Sequence, residues 1–291
     1  MTGLGEVREE ALACTFCAYC RRSCPVYRAS LWEGESPRGR VAQAHGLILG
    51  ELEPSDEFYE SVLNCSLCGL CEEACPSSVR VRDIVLAMRA ELLSSGASLP
   101  ERVRGLVEEA EKRPVPLAEG VVVVPGIHGR VEETVEFLSE LGVEAEAVEA
   151  PPLSALGIAG SPRLREKVGE YRERMGRARV VCEDPAEVAW LRKAGLDARH
   201  PAELVRVPGA EAYLPSAWLP LEVEAELTLE PAGSEVPWLR REFAEAIAEE
   251  RASRAGGREV ACLSPEHVAP LRRAGADAVP LLDLIRSRAS L

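Results

Sequence analysis

Residues 14–25 read CTFCAYCRRSCP, and residues 65–76 read CSLCGLCEEACP. The two lines share one spacing: Cys14, Cys17, Cys20 and Cys24 before Pro25, then Cys65, Cys68, Cys71 and Cys75 before Pro76. Eight of the ten cysteines fall in these lines, so their order, not their abundance, carries the chemistry. Three cysteines at every third residue wrap a tight turn and reach three irons of a cubane. A distant fourth closes it, and thiolates are the soft ligands such clusters select. In the two-cluster form of this run the fourth cysteine serves the other cluster. The spacing predicts two [4Fe–4S] clusters, one on Cys14, Cys17, Cys20 and Cys75 and one on Cys65, Cys68, Cys71 and Cys24. Structural zinc uses paired Cys-x-x-Cys knuckles and His mixtures instead. A three-iron cluster is disfavoured because neither phrase lacks a cysteine. Exchange of the fourth ligand would also staple the two halves of the region together.

Around the phrases the pattern is helical. Ser36-Pro37 forms an N-cap with a first-turn proline, and residues 38–52 predict a helix closed near Gly50 and Pro54. Residues 56–64 and 79–95 predict two more, the last ending at Gly96. Two helices between the phrases exceed the room in a minimal β-type ferredoxin, so residues 1–97 are expected to take the α-helical form. Residues 98–117 read as a linker, helical near 100–112 and broken by Pro114 and Pro116. The rhythm then changes. VVVVPG at 121–126 reads as a buried strand and turn, 130–141 as a helix and 143–148 as a second strand, which is α/β alternation.

The C-terminal part repeats itself at an offset of about 80 residues. Cys182 falls on Cys262, Pro185 on Pro265, Leu191 on Leu271, Gly195 on Gly275, Asp197 on Asp277 and Leu204 on Leu284. Two duplicated α/β lobes are expected, at 118–207 and 208–291. The whole is then a multidomain α+β chain: a helical two-cluster ferredoxin-type domain followed by the two lobes.

Composition narrows the function classes. A formal charge of −14 argues against nucleic acid and anionic lipid as direct partners. No apolar stretch approaches the roughly 20 residues needed to span a bilayer. The opening MTGLGEVREE has neither the basic nor the apolar region of a signal peptide. With cysteines in metal spacing, this predicts a cytoplasmic protein, held at the inner membrane face only through a partner. Asn64 and Gln43 are the only side-chain amides, a depletion expected of a thermophile.

LACTFCAYCRRSCPVYRA, the SPRGR of Ser36–Arg40, and CSLCGLCEEACPSSVRVRDIV together resemble a known paired-cluster module. It belongs to the iron–sulfur subunits of glycolate oxidase, anaerobic glycerol-3-phosphate dehydrogenase and heterodisulfide reductase. The resemblance implies an electron-transfer subunit with a flavoprotein partner and, in some assemblies, a quinone-reactive membrane subunit. In that family two CCG domains follow, each with a Cys-Cys-Gly and a Cys-Pro-x-Cys that hold a further cluster. Here residues 148–152 read Val-Glu-Ala-Pro-Pro. The later positions read Asp184-Pro185-Ala186-Glu187 and Ser264-Pro265-Glu266-His267. The lobes thus resemble CCG domains without their ligands, and no catalytic acid, base or nucleophile is expected in them. Cys182 and Cys262 read as buried small hydrophobes. The alternatives are a cluster-fed thiol/disulfide reductase using that pair, or a non-enzymatic iron–sulfur sensor or scaffold. His45 could face a cluster or quinone, whereas His128, His200 and His267 read as structural or solvent-exposed. PGIHG at 125–129 lacks the spacing and the Lys of a P-loop.

Overall fold

The computed structural model describes residues 3–288, which form two compact units. The first takes in the chain up to Glu108 together with Leu156–Leu164 and Gly233–Ile247. The second comprises Glu109–Ala155, Arg165–Ala232 and the chain from Ala248 onward.

Up to Val121 the described residues contain only helices and turns: α1 (Arg8–Leu12), α2 (Pro25–Ser30), α3 (Pro37–Leu49), α4 (Asp56–Leu63), α5 (Leu70–Glu73), α6 (Val81–Ser94) and α7 (Glu101–Lys112). The caps explain the boundaries. Ser36 Oγ accepts from the Gly39 N–H at 2.9 Å, Pro37 fills the first turn, and Gly50 ends α3 in the left-handed region. Ser55 Oγ likewise accepts from the Phe58 N–H at 3.1 Å to open α4. α6 packs on both α3 and α4. The core there is Val41, Ala44, Tyr59, Val62, Ile84 and Met88, all essentially inaccessible to solvent. The chain's single asparagine is kept where both ends of its amide are used. Buried Asn64 donates from Nδ2 to Glu35 Oε1 at 3.1 Å, and its Oδ1 accepts from the Arg240 N–H at 3.1 Å.

The second unit carries two four-stranded sheets in which every pairing is parallel. The first uses β1 (Val121–Val123), α8 (Val131–Glu140), β2 (Glu146–Ala147), α9 (Leu153–Ala159), α10 (Leu164–Met175), β3 (Arg179–Val181), α11 (Pro185–Lys193) and β4 (Asp197–Arg199). The second uses β5 (Ala210–Leu214), β6 (Ala225–Thr228), α12 (Arg241–Ala255), β7 (Val260–Cys262), α13 (Val268–Arg273), β8 (Ala278–Pro280) and α14 (Leu281–Arg288); α9 from Leu156 and α12 up to Ile247 fall in the first unit. Strand orders are β2-β1-β3-β4 and β6-β5-β7-β8, so each sheet reverses its winding after its second strand. Central strands are apolar on both faces, as parallel strands must be; Val122, Val180, Ala212 and Val260 are buried. One connection differs. α8 links β1 to β2, whereas residues 215–224 between β5 and β6 contain no helix. Ion pairs join residues near the first sheet to one another and to residues near the second. Arg130 reaches Glu183 at 2.5 Å and Asp283 at 2.8 Å, and His128 Nε2 lies 2.6 Å from Glu266.

His200 makes this unit sensitive to acid. It is fully buried, its Nδ1 accepts from the Ala202 N–H at 3.2 Å and its Nε2 bonds the Glu183 carbonyl at 3.0 Å. A proton on Nδ1 would face an N–H donor, and burial lowers the imidazole pKa to about 4. The unfolded chain binds that proton near pH 6.5, so stability falls as pH drops from about 6.5 to 4 and then levels off. The expected loss is about 3 kcal/mol. Denaturation midpoints measured across that range should show it, and His200→Gln should flatten this part of the profile.

Candidate metal centre

Two cavities in the first unit gather the eight phrase cysteines in crossed sets. One is lined by Cys14, Cys17, Cys20 and Cys75 with Phe16, Ala18 and Arg38. The other is lined by Cys65, Cys68, Cys71 and Cys24 with Leu67, Gly69, Arg40 and Arg82. The local backbone explains how three sulfurs of one phrase reach one space. Phe16 and Ala18 (φ 55° and 67°) and Leu67 and Gly69 (φ 59° and 79°) are all left-handed, at matching places in the two phrases. Only Gly69 takes that conformation freely; for the other three it costs about 1–2 kcal/mol each. Such conformations persist where the surroundings over-determine them, and they cluster at functional sites.

The Cys-Pro step has a local role as well. Cys24 is the N-cap of α2, with Pro25 in the first turn, and its Sγ accepts from the Tyr27 N–H at 3.4 Å. Cys75 Sγ accepts from the Val79 N–H at 3.5 Å. Each crossed cysteine thus presents a sulfur already held by backbone.

The donor set suits a polynuclear group. Four thiols surround each cavity, as one thiolate per iron of a [4Fe–4S] cluster would require. Among the described residues, no three His, Cys, Asp or Glu side chains could hold a single metal ion. The two cavities differ in burial. In the second, Cys24, Cys68 and Cys71 are buried and Cys65 half-buried, whereas in the first Cys17 is exposed and Cys14, Cys20 and Cys75 are half-buried. Burial pushes the Cys68 thiol up to about 12 and the Cys20 thiol up to about 11. Free of metal these groups are neutral thiols, and cluster binding would strip their protons.

Outside the cavities, the sites singled out in sequence are quiet. Cys182 and Cys262 are fully buried. Burial pushes the first well above its ordinary range and the second up to about 12, which leaves poor nucleophiles. His45 Nε2 lies 2.7 Å from the Ala11 carbonyl and meets the Phe16 ring edge-on at 5.1 Å. It therefore supports the wall of the first cavity. At the Asp-Pro-Ala-Glu positions, Asp184 accepts from the Ile127 and Ala186 N–H groups, both at 2.9 Å. Glu187 accepts from the Leu153 and Ser154 N–H groups at 2.9 and 2.7 Å. Carboxylates here satisfy loop amides. At the second position burial would raise the Glu266 carboxyl, but the charges of His128 and His267 outweigh it and hold it at about 2.

Four contributors were not assigned roles by sequence reasoning. Arg38 and Arg40 line the cavities, as does Arg82 in the second, and only the SPRGR phrase could have pointed to the first two. Gly233 closes on the second phrase so tightly that a Cβ would overlap the Ser66 carbonyl oxygen, while the Ser234 N–H donates to that oxygen at 2.6 Å. No local pattern announces that approach.

Residues 10–79 match the 4Fe-4S dicluster domain family. The chain is 39% identical over 72 residues to the probable glycolate oxidase iron–sulfur subunit of Bacillus subtilis (strain 168), covering 24% of this chain and 16% of that protein. It is 34% identical over 117 residues to the glycolate oxidase iron–sulfur subunit of Escherichia coli (strain K12), covering 39% and 25%. It is 33% identical over 104 residues to lactate utilization protein B of Bacillus thuringiensis (strain Al Hakam), covering 33% and 20%. The matched region thus spans between 16% and 25% of the length of these relatives. No solved structure matches the chain. The dicluster domain and the named relatives together support the iron–sulfur subunit family. Among the described residues no helix is long and apolar enough to cross a membrane.

Proposed function

We propose that the chain is the electron-transfer subunit of a multi-subunit, flavin-dependent oxidoreductase and relays single electrons through two [4Fe–4S] clusters. Cys14, Cys17, Cys20 and Cys75 would hold one cluster, and Cys65, Cys68, Cys71 and Cys24 the other. The observation that carries this reading is the crossed lining: each cavity takes three cysteines of one phrase and the last of the other. Bound clusters supply one-electron chemistry, which matches a flavin's two-electron chemistry to a one-electron acceptor. The chain's own residues hold and shield. The left-handed turns aim thiols inward, and the exposed rim at Cys17 leaves the first cavity accessible to a partner.

The relatives' names carry glycolate and lactate, both 2-hydroxy acids, so the partner flavoprotein is proposed to oxidise an acid of that class. A quinone-reactive membrane subunit is the proposed onward acceptor. We read residues 118–207 and 208–291 as duplicated lobes that have lost metal ligands and now serve as a docking platform. The common strand order and the matched positions of Cys182 and Cys262 support this.

Anaerobic purification should give iron and labile sulfide near eight of each per chain. Cys14→Ala and Cys75→Ala should each remove about half the iron and leave the same residual electron paramagnetic resonance signal. Iron near zero in the parent protein, or a Cys75→Ala signal matching that of Cys65→Ala, would sink the assignment.

A further inference from the structure

The second cavity encloses a cation as well as thiols. Arg40 lines it and is 1% exposed, whereas the other arginine of its lining, Arg82, is 36% exposed and gives its Nε to Glu72 at 3.2 Å. Arg40 Nη1 donates to the Glu35 carbonyl and its Nη2 to Glu35 Oε2 at 2.6 Å, but its Nε is buried with no partner. A buried donor left unmade costs about 1–3 kcal/mol and calls for an explanation. In a cavity walled by thiols, a cluster sulfur is the acceptor that would complete it. Glu35, the one partner of the guanidinium, is not part of the cavity lining, so the cation and not its carboxylate borders the thiols. The first cavity lacks this feature. Its arginine, Arg38, is about one-third exposed and gives its Nε to Glu33 at 2.7 Å.

Burial disfavours whichever state carries more charge, so the more enclosed cavity is intrinsically the poorer place to add an electron. A fixed cation and an N–H bond to sulfur act in the opposite direction. We propose that Arg40 sets the potential of the second cluster, raising its affinity for an electron to offset its burial. One electron can then leave the first cluster and enter the second, with no proton moved and no bond broken. The inference rests on the two-cluster reading above.

The test is a redox titration of the anaerobically purified full chain, followed by electron paramagnetic resonance, with iron and sulfide assayed on the same samples. The double variant Glu35→Gln with Arg40→Gln removes both charges and strands neither. It should weaken electron affinity at one cluster about tenfold, about 59 mV for a one-electron couple, and leave the other midpoint in place. Arg40→Lys keeps the charge but loses the Nε donor, so a smaller shift of the same midpoint is expected. Two assembled clusters with unmoved midpoints in the double variant would overturn the role of Arg40, as would equal shifts of both. If the double variant assembles no second cluster, an unmoved midpoint in Arg40→Lys overturns it. Absence of iron from the parent protein defeats the two-cluster reading itself, and is distinguishable because it appears before any substitution is made.

Discussion

Arg89→Met is expected to destabilise the first unit by about 3–5 kcal/mol, because several buried carbonyls lose their donor at about 1–3 kcal/mol each. Arg89 is fully buried on α6 and has no carboxylate among its hydrogen-bond acceptors. Its guanidinium instead donates to the carbonyls of Leu63 at 3.0 Å, Cys65 at 2.8 Å and Ile158 at 2.9 Å, with a longer bond to Val62 at 3.2 Å. Leu63 ends α4 and Ile158 lies in the last turn of α9, so the cation sits where helix dipoles are negative. Burial lowers its pKa only to about 10, so it stays charged at neutral pH. Met fills the volume but leaves those carbonyls bare, each at about 1–3 kcal/mol. Against a typical total of about 5–15 kcal/mol, the unit becomes marginal. Chemical denaturation of the cluster-loaded protein reads the effect. Arg89→Lys should recover little, because one ammonium cannot span carbonyls that a planar fork reaches. A change below about 1 kcal/mol for Met would show that the carbonyls find other donors.

Gly233→Val is expected to cost the second cluster while sparing the first, so that iron and sulfide fall by about half. A Cβ at 233 would overlap the Ser66 carbonyl and stand 2.8 Å from the Cys68 backbone nitrogen. Both obstacles are backbone of the loop that carries Cys65 and Cys68, so relief must come from moving that loop. Gly233→Ala should act in the same direction with a smaller loss. Gly105→Ala is the control. It lies in α7 with nothing within 4 Å of the added carbon, and should be neutral or stabilising by up to about 1 kcal/mol. Full iron content in Gly233→Val would refute the close approach as a constraint on the site.

Much of the helical region was legible in sequence because its signals are local. Ser36, Pro37 and Gly50 bound α3, and Ser55 opens α4, each within a few residues of the backbone it caps. The strands at 121–123 and 146–147 also follow from short apolar or alternating runs next to helical spacing. The helix-free link between β5 and β6 was not legible, because 215–224 offers no periodicity in either direction. The eight cysteines that line the two cavities stood out in the sequence by their spacing. The left-handed Phe16 and Leu67 were not, since neither residue type prefers that conformation and the surrounding turn imposes it.

The sequence by itself determined the donor set: two phrases of four cysteines at one shared spacing. That reading rests on residue type and local spacing, which need no knowledge of the rest of the chain. Only the tertiary structure decided what surrounds those thiols. It brings Arg40 into the second cavity, threads Arg89 beneath Cys65, and returns residues 156–164 and 233–247 to the N-terminal unit. The physical reason is range. A buried charge or a glycine against a distant carbonyl is specified by packing between segments far apart in the chain, and nothing in either segment announces the other.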